Sequence, residues 1–169
     1  MKTSNLFCLY LPIVALVLLT AQPSAAAQTG SGPATGGETQ FLSPNGLSKP
    51  SGYTQVVVVA QPSKLIYVSG QTARNAAGEL VGKGDLRAQV TQVMENLKSA
   101  LAAAGATMAD IIKLNYYVVN LKSDQVPIIR EVRGKYLPME HPPAATLIGV
   151  TALAQEDLMI EVEAIAAVR

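Results

Sequence analysis

Two carboxylates near the C-terminus are the first residues whose type and spacing could do chemistry. In Leu158-Met159-Ile160-Glu161-Val162-Glu163-Ala164-Ile165-Ala166 the apolar residues alternate. That period of two marks a strand buried on one face. Leu158, Ile160, Val162 and Ala164 point one way, and Met159, Glu161, Glu163 and Ile165 the other. An ionised carboxylate avoids apolar surroundings, so the glutamate face must meet water, a cation or a reacting molecule. A carboxylate beside a held water can serve as a general acid or base. Other chemistries have little to build on. His141 is the only histidine, which leaves a multi-histidine metal site or a Ser-His-Asp triad weakly supported. Between Glu140 and Pro142 it reads as a loop residue. The one cysteine, Cys8, falls in the N-terminal apolar run.

That run is expected to be removed. Lys2 precedes the 14 residues from Leu6 to Leu19, which carry no charge, and Ala25-Ala26-Ala27 follows. The pattern is a secretory signal peptide over residues 1–27, with Gln28 as the new N-terminus. It is short for a membrane span, which needs roughly 20 residues. Cleavage leaves no cysteine, which excludes disulfides and thiolate chemistry and suits a periplasmic or secreted protein. Only Lys2 of the 13 basic residues would go, against 12 acidic ones. The remaining chain is near neutral, without a Lys/Arg run. No nucleic-acid partner is expected, and no membrane contact once the signal is gone.

The elements that must position the glutamates can be read in order. Residues 28–40 are rich in Gly, Ser and Thr and read as a flexible linker, so the domain is expected over residues 41–169. Thr54–Ala60 and Leu65–Ser69 read as strands joined by a hairpin turn at Gln61-Pro62-Ser63-Lys64. Asp85 caps a helix whose apolar stripe is Leu86, Val90, Val93, Leu97 and Leu101, with Gly105 just past its end. Ile111–Val119 is a strand with Ile112, Leu114, Tyr116 and Val118 on one side. Ser123 or Asp124 caps a second helix, Pro127 sits in its first turn, and Pro138 ends it. Pro142–Val150 and Leu158–Ala166 are the last strands. The order β-β-α-β-α-β-β predicts an α+β fold with two helices on one face of a mixed sheet. The face without helices would be left for self-association.

Several stretches together resemble the RidA/YjgF family. They are Ile66-Tyr67-Val68-Ser69-Gly70-Gln71, the Asn96-Leu97 helix ending in Ala104-Gly105-Ala106, Asp110-Ile111-Ile112-Lys113, Pro143-Ala144, and Ile160 to Ala166. The resemblance covers about residues 44–168. It implies a chorismate-mutase-like fold assembled as a homotrimer, with a small-molecule cleft at each subunit interface. It further implies hydrolysis of reactive enamines and imines to a carbonyl product and ammonia, with no metal or organic cofactor.

The resemblance also assigns roles. Glu161 matches the acidic residue that positions or activates the hydrolytic water. Tyr53 matches a tyrosine bordering the cleft, and Ser69 and Gly70 match the strand-end pair that contacts substrate. Arg130 aligns with the substrate-binding asparagine of the second helix. Ala145 is the departure. The deaminase pattern Pro-Ala-Arg-Thr places a carboxylate-clamping arginine there, whereas this chain reads Pro143-Ala144-Ala145-Thr146. A bidentate arginine–carboxylate contact is worth about 1.5–3 kcal/mol. Its loss should weaken binding of an amino-acid-derived imine by roughly ten- to a few-hundredfold. The substrate range is therefore expected to be altered, and a non-catalytic binding or stress-protective trimer is the competing reading. Glu163 reads as a structural, solvated carboxylate. Arg133 and Arg74 are further cations that a ligand could use.

Overall fold

The computed structural model describes residues 38–169. The expected signal peptide and nearly all of the expected linker lie outside the described residues. Strand β1 (Thr39–Leu42) begins inside that linker and pairs antiparallel with β2 (Val56–Val59) as a separate two-stranded sheet. The main sheet holds β3 (Lys64–Thr72), β4 (Ile111–Val119), β5 (Ala144–Val150) and β6 (Ile160–Val168) in the order β3-β6-β4-β5. Only β4 and β5 run parallel, so the sheet is mixed.

The expected β2–β3 hairpin is not formed. Gln61 takes a positive φ of 48° and Pro62 has no N–H to donate, so the chain leaves β2 without doubling back. Ser63 instead donates from its N–H to the Val168 carbonyl at 2.9 Å. This starts the β3–β6 ladder and leaves β2 to β1.

Helix α1 (Leu86–Ala103) forms as its stripe requires. Asp85 is the N-cap and accepts from the Ala88 N–H at 3.1 Å, while Gly105 follows with φ +70°. Leu86, Val90, Val93, Leu97 and Leu101 are all buried. Helix α2 (Gln125–Arg133) departs from expectation at both ends. Asp124 holds the N-cap position, but neither it nor Ser123 provides a side-chain cap; the Gln125 side chain accepts from the Lys122 N–H instead. The helix stops at Arg133, five residues before Pro138. Gly134, a poor helix former, is its C-cap. The two helices are joined at their surfaces by Arg87 and Glu131, a bidentate pair at 2.7 Å for both oxygens.

Both helices pack on one face of the main sheet. The core joins Leu97, Leu101, Ile129 and Val132 to Leu114, Tyr116, Val118, Ile160 and Val162. An irregularity between Ile111 and Lys113 shifts the phase of β4. Ile111 rather than the expected Ile112 therefore enters the core. The opposite face carries no helix. It exposes Leu65, Tyr67 and Ile148 beside Lys113, Asn115, Glu161 and Glu163.

A polar clamp inside this core binds the α1 start to the chain before β6. The fully buried Gln89 side chain donates to the Gly82 carbonyl at 3.2 Å and the Asp157 carbonyl at 2.8 Å, and accepts from the Met159 N–H at 2.8 Å. Gln89→Leu keeps the volume but leaves two backbone groups, the Asp157 carbonyl and the Met159 N–H, without this partner, while the Gly82 carbonyl keeps the Asp85 N–H. Such groups cost about 1–3 kcal/mol each when unpaired. Urea unfolding should show a loss of about 2–4 kcal/mol, and an unchanged midpoint would show that Gln89 does not hold this junction.

Candidate functional site

The two glutamates that opened the sequence lie side by side on the helix-free face but in different surroundings. Glu163 stands opposite Asn115 of β4, and Glu161 opposite Tyr117. One oxygen of Glu163 accepts from Asn115 Nδ2 at 2.6 Å and from the Tyr117 hydroxyl at 2.9 Å. These bonds, Asn115 first, hold the Glu163 carboxyl below the usual glutamate value. The same contact pushes the Tyr117 hydroxyl up. Glu163 is thus an anion tied to β4 through one of its oxygens, rather than the solvated carboxylate expected from sequence. Glu161 is half-buried and, among the described residues, has no hydrogen-bond or ion-pair partner. Its oxygens are left to accept from something else.

The neighbour of Glu161 is a break in β3. The β3–β6 register slips between Val68 and Gln71, so Ser69 and Gly70 bulge across from β6. A side chain at position 70 would displace the Glu161 carboxylate. A Cβ at this position would lie 2.7 Å from Glu161 Cδ and 2.9 Å from its Cγ, closer than such atoms approach. Ser69 is exposed beside it and borders a cavity of about 230 Å³ with Lys113, Asn115 and Glu163. The structure therefore brings Ser69, Gly70 and Glu161 together at one bulge.

Tyr53, Arg130 and Ala145 meet elsewhere, in a pocket of about 280 Å³ between α2 and the start of β5. Buried Thr54 sets this geometry. Its N–H donates to the Pro143 carbonyl at 3.1 Å and its hydroxyl to the Pro142 carbonyl at 2.6 Å, so Tyr53 is held beside Ala144 and Ala145. Val126, Ile129 and Leu147 supply an apolar wall, and exposed Arg130 stands at the rim. Arg133 also lines the pocket. It is 6% exposed, its guanidinium donates to the Gly52 carbonyl, and its Cζ sits 5.8 Å over the centroid of the Tyr116 ring. Gly52 has φ +74°, and a Cβ there would lie 2.6 Å from Arg133 Nη2. The sequence treated Arg133 as a secondary cation. The available signal was its spacing, four residues after Ile129 and therefore on the buried stripe.

Arg74 and His141 lie apart from both groups. Arg74 donates to the Gln155 side chain at 2.7 Å and to the Gly78 carbonyl, stapling the loop after β3. Asn96 supports the same loop by donating to the Thr72 and Arg74 carbonyls at 2.9 and 2.8 Å. His141 is an exposed loop residue stacked on Phe41, with ring centroids 5.1 Å apart.

The expected site is thus divided within one chain: a carboxylate beside a bulge on the helix-free face, and a cation-bearing apolar pocket on the helix side at the β5 edge. Residues 46–168 match the family model described as endoribonuclease L-PSP. A RutC family protein of Pyrococcus abyssi is 37% identical over 120 residues, covering 70% of this chain and 88% of that protein. The 2-iminobutanoate/2-iminopropanoate deaminase of Dermatophagoides farinae is 29% identical over 113 residues, covering 67% of this chain and 83% of that protein. Among solved structures, the Rid family protein YyfB of Yersinia pestis superposes with a TM-score of 0.70 at 39% identity, covering 77% of this chain and 98% of that one. With this fold and this coverage, the chain belongs to the RidA/YjgF family and has its chorismate-mutase-like α+β fold.

Proposed function

We propose that this protein hydrolyses reactive enamines or imines to a carbonyl product and ammonia, at clefts formed where subunits of a homotrimer meet. The observation that carries this reading is Glu161, a half-buried carboxylate with no partner among the described residues, facing a glycine-bearing bulge. The division of the candidate residues between two faces supports an interface cleft. Two copies in contact could bring the bulge of one against the pocket of the other. The exposed Leu65, Tyr67 and Ile148 on the helix-free face favour association as well.

The chemistry asks little of the protein. Glu161 holds a water and takes its proton as the oxygen attacks the C=N carbon. That proton passes to nitrogen to give a carbinolamine; the hydroxyl proton then moves through Glu161 to the amine, the C–N bond breaks as the C=O forms, and carbonyl and ammonia leave. An enamine is first protonated on carbon to give the imine. A positioned acid/base group is typically worth 10²–10⁴-fold. In an assay that generates imines with an amino-acid oxidase, the protein should speed ammonia formation above the buffer rate. Glu161→Gln should lose about a hundredfold or more of that gain. Glu163→Gln serves as a comparison, because Glu163 is already occupied by Asn115 and Tyr117.

Ala145 favours a second reading, a trimer of the same build that binds small molecules without turning them over. Rates equal to buffer on several imines, with and without a carboxylate, would support it and remove the hydrolase. Light scattering should report three chains per particle, and a monomer would contradict the interface cleft. Export is part of the proposal. The mature protein recovered from the periplasm or medium should begin at Gln28, and a retained Met1 would refute the signal peptide.

A further inference from the structure

The pocket between α2 and β5 has a property that its apolar walls do not explain. Its ionisable lining consists of two guanidiniums and Tyr53, with no carboxylate. The acid nearest in sequence, Glu131, is engaged by Arg87 at 2.7 Å and Lys135 at 3.8 Å. Arg133 is therefore a buried cation without a carboxylate partner among the described residues. An arginine has five N–H donors, and the Gly52 carbonyl accepts from one nitrogen. A charge held in low dielectric without a counter-ion is costly, and burial is normally accompanied by pairing. Arg133 nonetheless lines the cavity.

We propose that Arg133 is the anion anchor of this pocket, and that its ligand is a small carboxylate carrying a short apolar chain. The guanidinium fork matches a carboxylate in two parallel hydrogen bonds. Val126, Ile129 and Leu147 then receive the chain. At about 30 Å³ for a water-sized group, a cavity of about 280 Å³ holds about nine such groups, the size of a small organic acid. Ala145 is consistent with this arrangement. An arginine there would add a third guanidinium to a pocket already lined by Arg130 and Arg133. The cation missing from β5 is in effect supplied from α2, which approaches the ligand from another direction. The inference deepens the proposed reading and rests on it for the chemistry at the reacting carbon, but the binding step can be tested alone.

Titration calorimetry on the full chain compares butanoate and 2-oxobutanoate with butanamide, their neutral counterpart. The acids should bind at least tenfold more tightly than the amide. Arg133→Gln should cost the acids about ten- to a hundredfold, the range of a lost charge-assisted pair. Arg133→Lys, which keeps the charge without the fork, should recover part of that loss, as a merely structural arginine would not. An acid-to-amide ratio under tenfold in the unaltered protein overturns the anchor, and that comparison needs no variant to fold. No binding of either acid up to about 10 mM overturns it too. The two readings fail separately. Acids held through Arg133 without imine hydrolysis would remove the deaminase and leave the anchor. Equal hydrolysis of charged and neutral imines, unchanged in Arg133→Gln, would remove the anchor and leave the deaminase.

Discussion

The alternation along β6 is the constraint on which the rest of the molecule depends. β6 is an inner strand of the main sheet, paired with β3 on one side and β4 on the other. Because successive side chains point to opposite faces, Ile160, Val162, Ala164 and Ala166 must face one layer together, and Glu161 and Glu163 the other. The helices can cover only the first of these. Covering the second would bury two carboxylates, at a cost far above what the added apolar contact returns. Helices on one side and an open polar-apolar face on the other are thus consequences of one strand.

The two carboxylates then diverge through their neighbours. Asn115 and Tyr117 sit on β4 at the rung of each glutamate, but both hydrogen bonds go to Glu163. Glu161 faces the bulge at Ser69 and Gly70, where a side chain on residue 70 would collide with it. One acid is tied down as part of the sheet and the other is kept available beside a backbone that cannot fill the space. Two chemically identical residues, two positions apart, acquire different capabilities from the strands on either side.

The helix side has its own constraint, the buried guanidinium of Arg133. It needs the Gly52 carbonyl and the Tyr116 ring, and it ties the loop before β2, helix α2 and strand β4 together. Thr54, bonded to Pro142 and Pro143, closes the same region from the β5 side. Positive charge lies inside an apolar pocket on one face and a free carboxylate on the other, and this division is the physical basis for the proposal of a site completed between copies.

The sequence by itself determined the elements whose information is local. The α1 stripe, the β6 alternation and the glycine after α1 follow from spacing, and the family pattern placed Glu161, Ser69 and Gly70 at one locus. Ala145 was legible as a missing cation because a substitution in a short motif is visible in one dimension. Tertiary structure decided whatever depended on partners distant in the chain. The β2–β3 hairpin failed because β2 found β1 and β3 found the end of β6, a competition that no window of residues contains. The register break in β4 exchanged Ile112 for Ile111, a shift of one residue that leaves hydrophobicity unchanged. Arg133 looked like any helical arginine until Gly52, 81 positions away, was found against it. A charge is assigned its role by what surrounds it, and those surroundings exist only once the chain has folded.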